Sequence, residues 1–546
     1  MSELITVGEA VARTLEQYGV DTLYGVISIH NLPVADAIGQ RGRLRFVPSR
    51  GEAGAVTMAD AHGRFSGLGV ALTSTGAGAG NAVGALVEAM NAGTPLLHIT
   101  GQVEKAYLDA DTGFIHETRD QMGFLRASSK RAFRISSPGQ AVAILQRAIQ
   151  EAQTAPCGPV SVEIPIDIQG AKIPASLVTA PGQSLQLPAP SEQTIERVWA
   201  RLTKARQPLL WVGGGALAAA DAVKRLADAG VTVISSTHGR GILSDEHPRS
   251  LRAFHNSAAI EALMSECDLT LVVGSRLRSN ETRSWTLDLP APRVQIDIDP
   301  AAASRNYLMD DTIVADSVAL LNALAARIQG RRFGDADWDA RIKAALGQAE
   351  SDLRAQCGEY ARLNDAIAKA LPADGILVRD ITVSGSLWGS RLFRANRPLG
   401  NIHSLAGAIG LGLPMAVGVA LANPQRKVVG LVGDGGLSLN LGELATLAQE
   451  KANVTLLIMN DGGYGVMRGI QDKYFGGRQY YNELHTPDFT QLAQAMGLQA
   501  WSVSSADDFD AVMAEALAMP GPSVVEVRMK DIGPLQFAGP PQKTLY

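Results

Sequence analysis

Cysteine is nearly absent: three in 546 residues, Cys157, Cys267 and Cys357, far apart and in no CxxC pairing. That excludes a disulfide-stapled scaffold and a thiolate zinc site, and it points to a reducing, cytoplasmic setting. Aromatic residues make up 5% of the chain and charged residues 19%, with a net charge of −5 and a pI of about 6.0. This balance offers no basic footprint, so no nucleic acid and no anionic membrane is expected as a partner. Uninterrupted apolar runs of the ~18 residues that a membrane span needs are lacking. Met1-Ser2-Glu3-Leu4 begins no basic-then-apolar leader, so no signal peptide is expected. Short repeats and low-complexity tracts are also missing.

Small residues are plentiful instead, with 56 glycines and abundant alanine, as suits tightly packed α/β layers. The length exceeds a single core and implies about two to four domains. Apolar strands separated by helical periodicity divide the chain into three α/β blocks. The first, residues 1–178, has strands near 19–25, 44–47, 70–73, 96–100 and 159–164. Residues 179–192 hold Pro181, Gly182, Pro188 and Pro190 and form a linker.

The second block, 193–330, opens with Leu209-Leu210-Trp211-Val212-Gly213-Gly214-Gly215 and a helix from Ala216, a Rossmann-type turn. That turn suits a bound nucleotide and equally a tight bend with nothing bound. Further strands are expected at 231–235, 269–274 and 294–298. A polar helical connector, 331–360, leads to the third block, 360–546, with strands at 376–378, 428–432, 454–459 and 523–527. The fold class is therefore α/β, with three doubly wound parallel-sheet domains, the middle one Rossmann-like. Blocks one and three share a strand–glycine–helix grammar that would fit a duplication.

The densest signal is Gly433-Asp434-Gly435, followed 25 residues later by Asn460-Asp461-Gly462-Gly463. A buried strand precedes each, and a helix over 441–452 joins them. Such a unit is a right-handed crossover between parallel strands, and it brings Asp434 and Asp461 to one sheet edge. In open α/β sheets ligands bind at that edge. Two carboxylates, a glycine turn exposing backbone N–H groups and a nearby helix start suit a hard cation, Mg²⁺ above all, holding a diphosphate.

This unit resembles the diphosphate-binding signature of thiamine diphosphate (ThDP) enzymes, Gly-Asp-Gly and then Asn-Asn. Asp461 departs from it, standing where most of the family has Asn. It remains an oxygen ligand, but its extra charge beside a diphosphate is unexplained by sequence. Gly51-Glu52-Ala53, after the strand at 44–47, resembles the site of the essential Glu in the acetolactate synthase/2-oxo acid decarboxylase superfamily. Taken alone, an acid there complements a helix dipole. In the family it hydrogen-bonds the cofactor's aminopyrimidine, favouring the imino tautomer that removes the thiazolium C2 proton.

The run Ser74-Thr75-Gly76-Ala77-Gly78-Ala79-Gly80-Asn81 lacks the ribose-binding acid of a dinucleotide fingerprint. It resembles the glycine-rich turn of the benzoylformate decarboxylase branch, with Ser74 where that branch has His. Gly101-Gln102-Val103 and Phe114-Ile115-His116-Glu117 resemble acetolactate synthase, with His116 at a Gln position. His30 lies in the first βα loop, where relatives place substrate-facing groups. Glu52, His116, His30 and Ser74 are thus the catalytic residues that the resemblance implies.

For the cofactor it implies Glu52, Ser384, Ser386, Gly407, Ile409, Gly433, Asp434, Gly435, Gly436, Asp461, Gly463 and Tyr464. Ile409 would prop ThDP into its bent form, and the Gly407 carbonyl would hold the ring's amino group. The Mg²⁺ ligands would be Asp434, Asp461 and Gly463. Met467 stands where simple pyruvate decarboxylases have an acid and acetolactate synthases have Met.

The implied activity is ThDP- and Mg²⁺-dependent decarboxylation of a 2-oxo acid, with carboligation of the enamine to a second carbonyl compound. The alternatives are a non-ligating, benzoylformate decarboxylase-like enzyme and a flavin-dependent, pyruvate oxidase-type oxidoreductase. Gly274-Ser275-Arg276-Leu277-Arg278 resembles the FAD-holding middle domain of acetolactate synthase, but flavin-free relatives share the pattern, so FAD stays open. The family builds its site between two subunits, so a homodimer is the minimum expectation and a homotetramer the common outcome.

Overall fold

The computed structural model describes residues 3–182, 187–535 and 537. Three parallel sheets organise them. A short antiparallel pair, β1 (Leu4–Thr6) with β8 (Lys172–Pro174), closes the first domain on itself. Between them run β2 (Thr22–Gly25), β3 (Arg45–Pro48), β4 (Gly69–Thr73), β5 (Leu96–Gln102), β6 (Arg131–Arg134) and β7 (Pro159–Pro165). Their order across the sheet is β3-β2-β4-β5-β7-β6.

The middle sheet holds β9 (Pro208–Val212), β10 (Thr232–Ser235), β11 (Leu269–Val273), β12 (Arg293–Asp297) and β13 (Asp311–Val314), ordered β10-β9-β11-β12-β13. The third holds β14 (Ile376–Arg379), β15 (Asn401–His403), β16 (Val428–Gly433), β17 (Val454–Asn460), β18 (Gln499–Val503) and β19 (Ser523–Arg528). Its order is β15-β14-β16-β17-β19-β18. With the strands of each parallel sheet numbered among themselves, the first and third sheets have the same order: second, first, third, fourth, sixth, fifth.

The central strands carry near-continuous apolar runs because helices cover both faces of a parallel sheet. All seven residues of Pro159–Pro165 are buried, as are Val454–Met459. Besides the short pair β1 and β8, the strands that sequence periodicity misses are sheet edges: Arg131–Arg134, Asp311–Val314, Asn401–His403 and Gln499–Val503. Several of their residues face solvent, so no apolar run marks them. After Gly213 the chain first winds as a 3₁₀ turn, Gly214–Ala219, and becomes α-helical only over Ala220–Asp228.

The first and third domains meet helix to helix. Glu52–Ser66 packs on Gly412–Ala422, and a Cβ on Gly418 would collide with the Met58 carbonyl, so the crossing depends on glycine there. The expected connector is the helix Ala336–Cys357, capped by Asp335 and pinned by buried Trp338, whose Nε1 donates to Thr232 Oγ1 at 3.0 Å. Among the described residues no helix is long and apolar enough to cross a membrane.

Candidate active site

Asp434 begins a short helix at the end of β16, and Asp461 follows the end of β17, the next strand in the sheet. The backbone N–H of Asp461 donates to Asp434 Oδ1 at 3.3 Å, which fixes the two turns against each other. Glycines allow the closeness. A Cβ on Gly435 would stand 2.8 Å from the Gly463 carbonyl oxygen and 2.9 Å from the Tyr464 ring. Gly462 adopts φ +78°, a conformation that a side chain would strain.

These turns line a cavity of about 280 Å³. Its walls are residues 381–384, Gly407, Ile409, 433–436, Met459, Asp461, 463–467 and Met529. Three buried oxygens on it lack any hydrogen-bond partner: Asp434 Oδ2, Asp461 Oδ1 and Ser384 Oγ. Buried polar atoms are rarely left so. Burial, and then the charge of Asp461, push the Asp434 carboxyl up to about 6. A cation between the two carboxylates would remove that strain, and a diphosphate would engage Ser384 and the glycine amides. The donor set therefore fits Mg²⁺ with a diphosphate.

Ile409 and Gly407 lie on the same wall. Their loop is held from below by Asp380, which is buried and accepts from the N–H groups of Gly410 (2.9 Å), Gly412 (3.2 Å) and Ile381 (2.7 Å). Burial pushes the Asp380 carboxyl up to about 6. From the first domain, buried Glu88 accepts from Ser404 Oγ and from the N–H groups of Leu405 and Ala406.

 

The Ala406 and Leu405 amide bonds to Glu88 are both 2.7 Å, and the Ser404 hydroxyl bond is 2.9 Å. Arg64, paired with Asp60 and Glu88, donates to the His403 carbonyl of the same stretch. Of the two serines named from sequence, Ser384 faces the cavity. Ser386 does not, because the turn of helix Val383–Ser386 carries it to a different cavity between the middle and third domains.

The expected first-domain residues gather at the carboxyl edge of the first sheet. Glu52 is the first residue of its helix and accepts from Asn81 Nδ2 at 3.2 Å. Gly78 makes room, since a Cβ there would stand 2.6 Å from Glu52 Oε1 and 2.6 Å from Ser74 Cβ. Ser74 is buried at the end of β4. His30 and His116 meet with Nδ1 atoms 3.2 Å apart and rings edge to face. His30 is buried, and burial, then His116, lowers its pKa. His116 is exposed and sits at φ +64°. One imidazole must donate and the other accept, so the pair holds a single proton between them.

Among the described residues, none from the first domain lines this cavity within the chain. The two halves are linked only indirectly. Glu443, buried in the third domain, accepts from the N–H groups of Arg50 (3.0 Å) and Gly51 (3.1 Å), immediately before Glu52. Glu443, Glu88, Arg468 and Gln121, which holds the Gly76 amide at 2.8 Å, were not singled out from sequence. The available sign for Glu88 is that it is the one charged residue of the helix Val83–Ala92.

A second cleft, about 370 Å³, lies at the carboxyl edge of the middle sheet beside Gly214, Gly215, Gly274 and Asp297. The FAD expectation falls here. Arg276 and Arg278 on its wall already donate to the Asn91 carbonyl, and Thr94 Oγ1 is its one unpartnered buried side-chain atom among the described residues.

Fold and site together define a three-domain α/β protein with a cavity at a sheet edge whose donors suit a diphosphate cofactor. Family models match along the chain: the N-terminal TPP binding domain of thiamine pyrophosphate enzymes at residues 5–124, the central domain at 195–324 and the C-terminal TPP binding domain at 382–527. The chain belongs to the thiamine pyrophosphate enzyme family, in the acetolactate synthase/2-oxo acid decarboxylase superfamily, and is a ThDP-dependent lyase or transferase. It is 30% identical to a probable 2-ketoarginine decarboxylase of Pseudomonas aeruginosa, over 96% of this chain and 94% of that one. It is 28% identical to the acetolactate synthase isozyme 1 large subunit of Escherichia coli, with the same coverage. A probable acetolactate synthase large subunit of Methanocaldococcus jannaschii is 27% identical over 95% of this chain and 91% of its own.

Proposed function

We propose that the chain decarboxylates a 2-oxo acid with ThDP and Mg²⁺ and joins the remaining fragment to a second carbonyl compound. The observation that carries this is the convergence of three unpartnered oxygens, of Asp434, Asp461 and Ser384, on one cavity. In this reading residues 1–178 form the pyrimidine-binding domain, 193–330 the middle domain and 360–546 the diphosphate-binding domain.

When bound, ThDP supplies a carbanion at its thiazolium C2 and a cationic ring that takes up the electrons released with CO₂. The chain's own residues have separate tasks. Asp434, Asp461 and the Gly463 carbonyl hold Mg²⁺, with Gly433, Gly435, Gly436 and Tyr464 shaping the turn. Ser384 donates to the diphosphate. Ile409 would pack against the cofactor, and Gly407 would hold its amino group. Glu52 holds a proton at the pyrimidine nitrogen. His30 and His116 orient the substrate and move a proton at its carbonyl oxygen, with Ser74 beside them. Met467, on the cavity wall, provides no proton donor, which favours ligation over protonation.

The absence of first-domain residues from the diphosphate cavity supports a site shared between two chains, with Glu52 of one chain opposite Asp434 of another. Apolar side chains exposed near His30 and His116 (Ile27, Ile29, Leu32 and Ile115) and near the cavity (Leu439 and Met467) would be covered by that contact. A homodimer is then the minimum and a homotetramer fits. Light scattering on the purified protein tests this, and a monomer that turns over would refute it.

A second reading, decarboxylation without ligation, is favoured by the relative named as a decarboxylase. The deciding experiment is a screen of 2-oxo acids with ThDP and Mg²⁺, following CO₂ and identifying the organic product. A ligated product supports the first reading, an aldehyde the second, and O₂ uptake by a yellow protein a flavin oxidase. No CO₂ from any 2-oxo acid, with ThDP bound, would overturn the proposal.

A further inference from the structure

Between the middle and third domains lies another cavity, of about 460 Å³, lined by cations and, among the described residues, by no carboxylate. Arg240, Arg379 and Arg391 reach it, with His255, Asn256 and His403. Arg240 is ion-paired to buried Asp245. The other two arginines have only neutral partners. Arg379, 2% exposed, donates to Asn401 Oδ1 at 2.7 Å and to the Gly385 carbonyl at 3.0 Å. Arg391 donates to the Ser386 carbonyl at 3.4 Å.

A buried guanidinium with no counter-charge is an unusual arrangement, because desolvation of the ion goes uncompensated. Its effect is visible in Arg379, which is pushed down to about 9 by burial and by the neighbouring Arg240 and Arg391. Four buried polar atoms of the lining residues also lack partners: His255 Nδ1, His403 Nδ1, Asn256 Oδ1 and Arg240 Nε. Burial, then Arg391 and Arg240, lowers His255 to about 3, so its imidazole is neutral and can donate or accept.

We propose that this cavity binds an oxyanion, the phosphate or carboxylate group of a small molecule, between Arg379 and Arg391, with His255 and His403 completing its hydrogen bonds. Planar guanidinium forks match such groups in shape and charge. The site is distinct from the diphosphate cavity, whose charged lining residues among those described are the acids Asp434 and Asp461. The two share Ile381 as a wall, so an anion held here lies close to the place of turnover. It is either the far end of the 2-oxo acid or a separate metabolite. The proposal needs no turnover to be tested, so its failure is distinguishable from failure of the ThDP reading.

The probe is inorganic phosphate, titrated by calorimetry into protein already saturated with ThDP and Mg²⁺. Saturable binding is expected, with a rise in melting temperature that grows with phosphate concentration. Arg391→Gln should weaken phosphate about tenfold or more, as expected for losing a charge-assisted contact. Arg391→Lys should fall between, since it keeps the charge and loses the fork. His255→Phe is a second variant, independent of any effect of Arg391 on folding. ThDP affinity should be unchanged in all three. In steady state, competition between phosphate and the 2-oxo acid would identify the substrate's own far end as the natural occupant. A change in rate at saturating substrate would identify a separate molecule. Absence of saturable binding to the wild type, or equal affinity in Arg391→Gln and His255→Phe, would overturn the proposal.

Discussion

Asp461 Oδ2 sits 2.7 Å from Arg468 Nη2, and the same nitrogen donates to the Asp461 carbonyl at 3.1 Å. The carboxylate that departs from the family's Asn thus carries its own counter-charge, one helical turn beyond Tyr464. Only Oδ1 remains free to face the cavity. This resolves the charge that the sequence left unexplained.

Asp461→Asn alone should leave Arg468 unpaired beside the cation and weaken Mg²⁺-dependent ThDP binding. Adding Arg468→Gln should recover part of the loss, with a coupling of about 0.5–3 kcal/mol between the two sites. Calorimetric affinities for the four proteins of the cycle decide it. Strictly additive effects would show that the pair does not act together.

Glu52→Gln should lower turnover by about two decades or more while ThDP still binds, as expected for loss of an acid–base partner. Asp434→Ala should instead abolish ThDP binding at ordinary Mg²⁺. Near-normal turnover in the first variant, or unchanged affinity in the second, would contradict the assigned roles.

Glu88 binds three groups of the stretch 404–406 and also Arg64. Glu88→Ala leaves Arg64 with Asp60 as its only carboxylate and should destabilise the protein by about 3–5 kcal/mol, the range for a broken buried ion pair. It should also raise the dissociation constant for ThDP, because the Gly407–Ile409 loop loses its brace. Denaturant unfolding and calorimetry read the two effects separately. Unchanged stability would remove Glu88 from this role.

Asp380 titrates higher in the folded chain than in the unfolded one, whose ordinary value is 3.8. Between those values the folded state holds the extra proton, so its contribution to stability falls as pH rises from about 4 to 6. Asp380→Asn removes this titration. The difference in unfolding free energy between wild type and variant should therefore shift in the variant's favour by up to about 3 kcal/mol across that window. A difference that is flat with pH would exclude Asp380 as the source.

The sequence carries the three-block α/β architecture because central parallel strands are apolar on both faces and glycine turns follow them. It is weaker where a strand has one exposed face, as in Arg131–Arg134 and Gln499–Val503. The placement of candidate site residues is legible where spacing ties them to a sheet edge, as for Asp434 and Asp461. Ser386 shows the limit: two residues from Ser384, it faces another cavity, because side-chain direction in a single helical turn is not set by proximity in sequence. Glu88 and Glu443 act across hundreds of residues, and although a lone acid marks the helix of Glu88, nothing local names the partner of either.

The matching strand order of the first and third sheets has a consequence for assembly. In the proposed shared site, each copy would carry one half of a reaction centre on each of two similarly built modules, neither half complete alone. Two copies that trade halves about a rotation axis complete two centres in one event. Functional centres would then arise in even numbers, and dissociating one such pair would silence both members together.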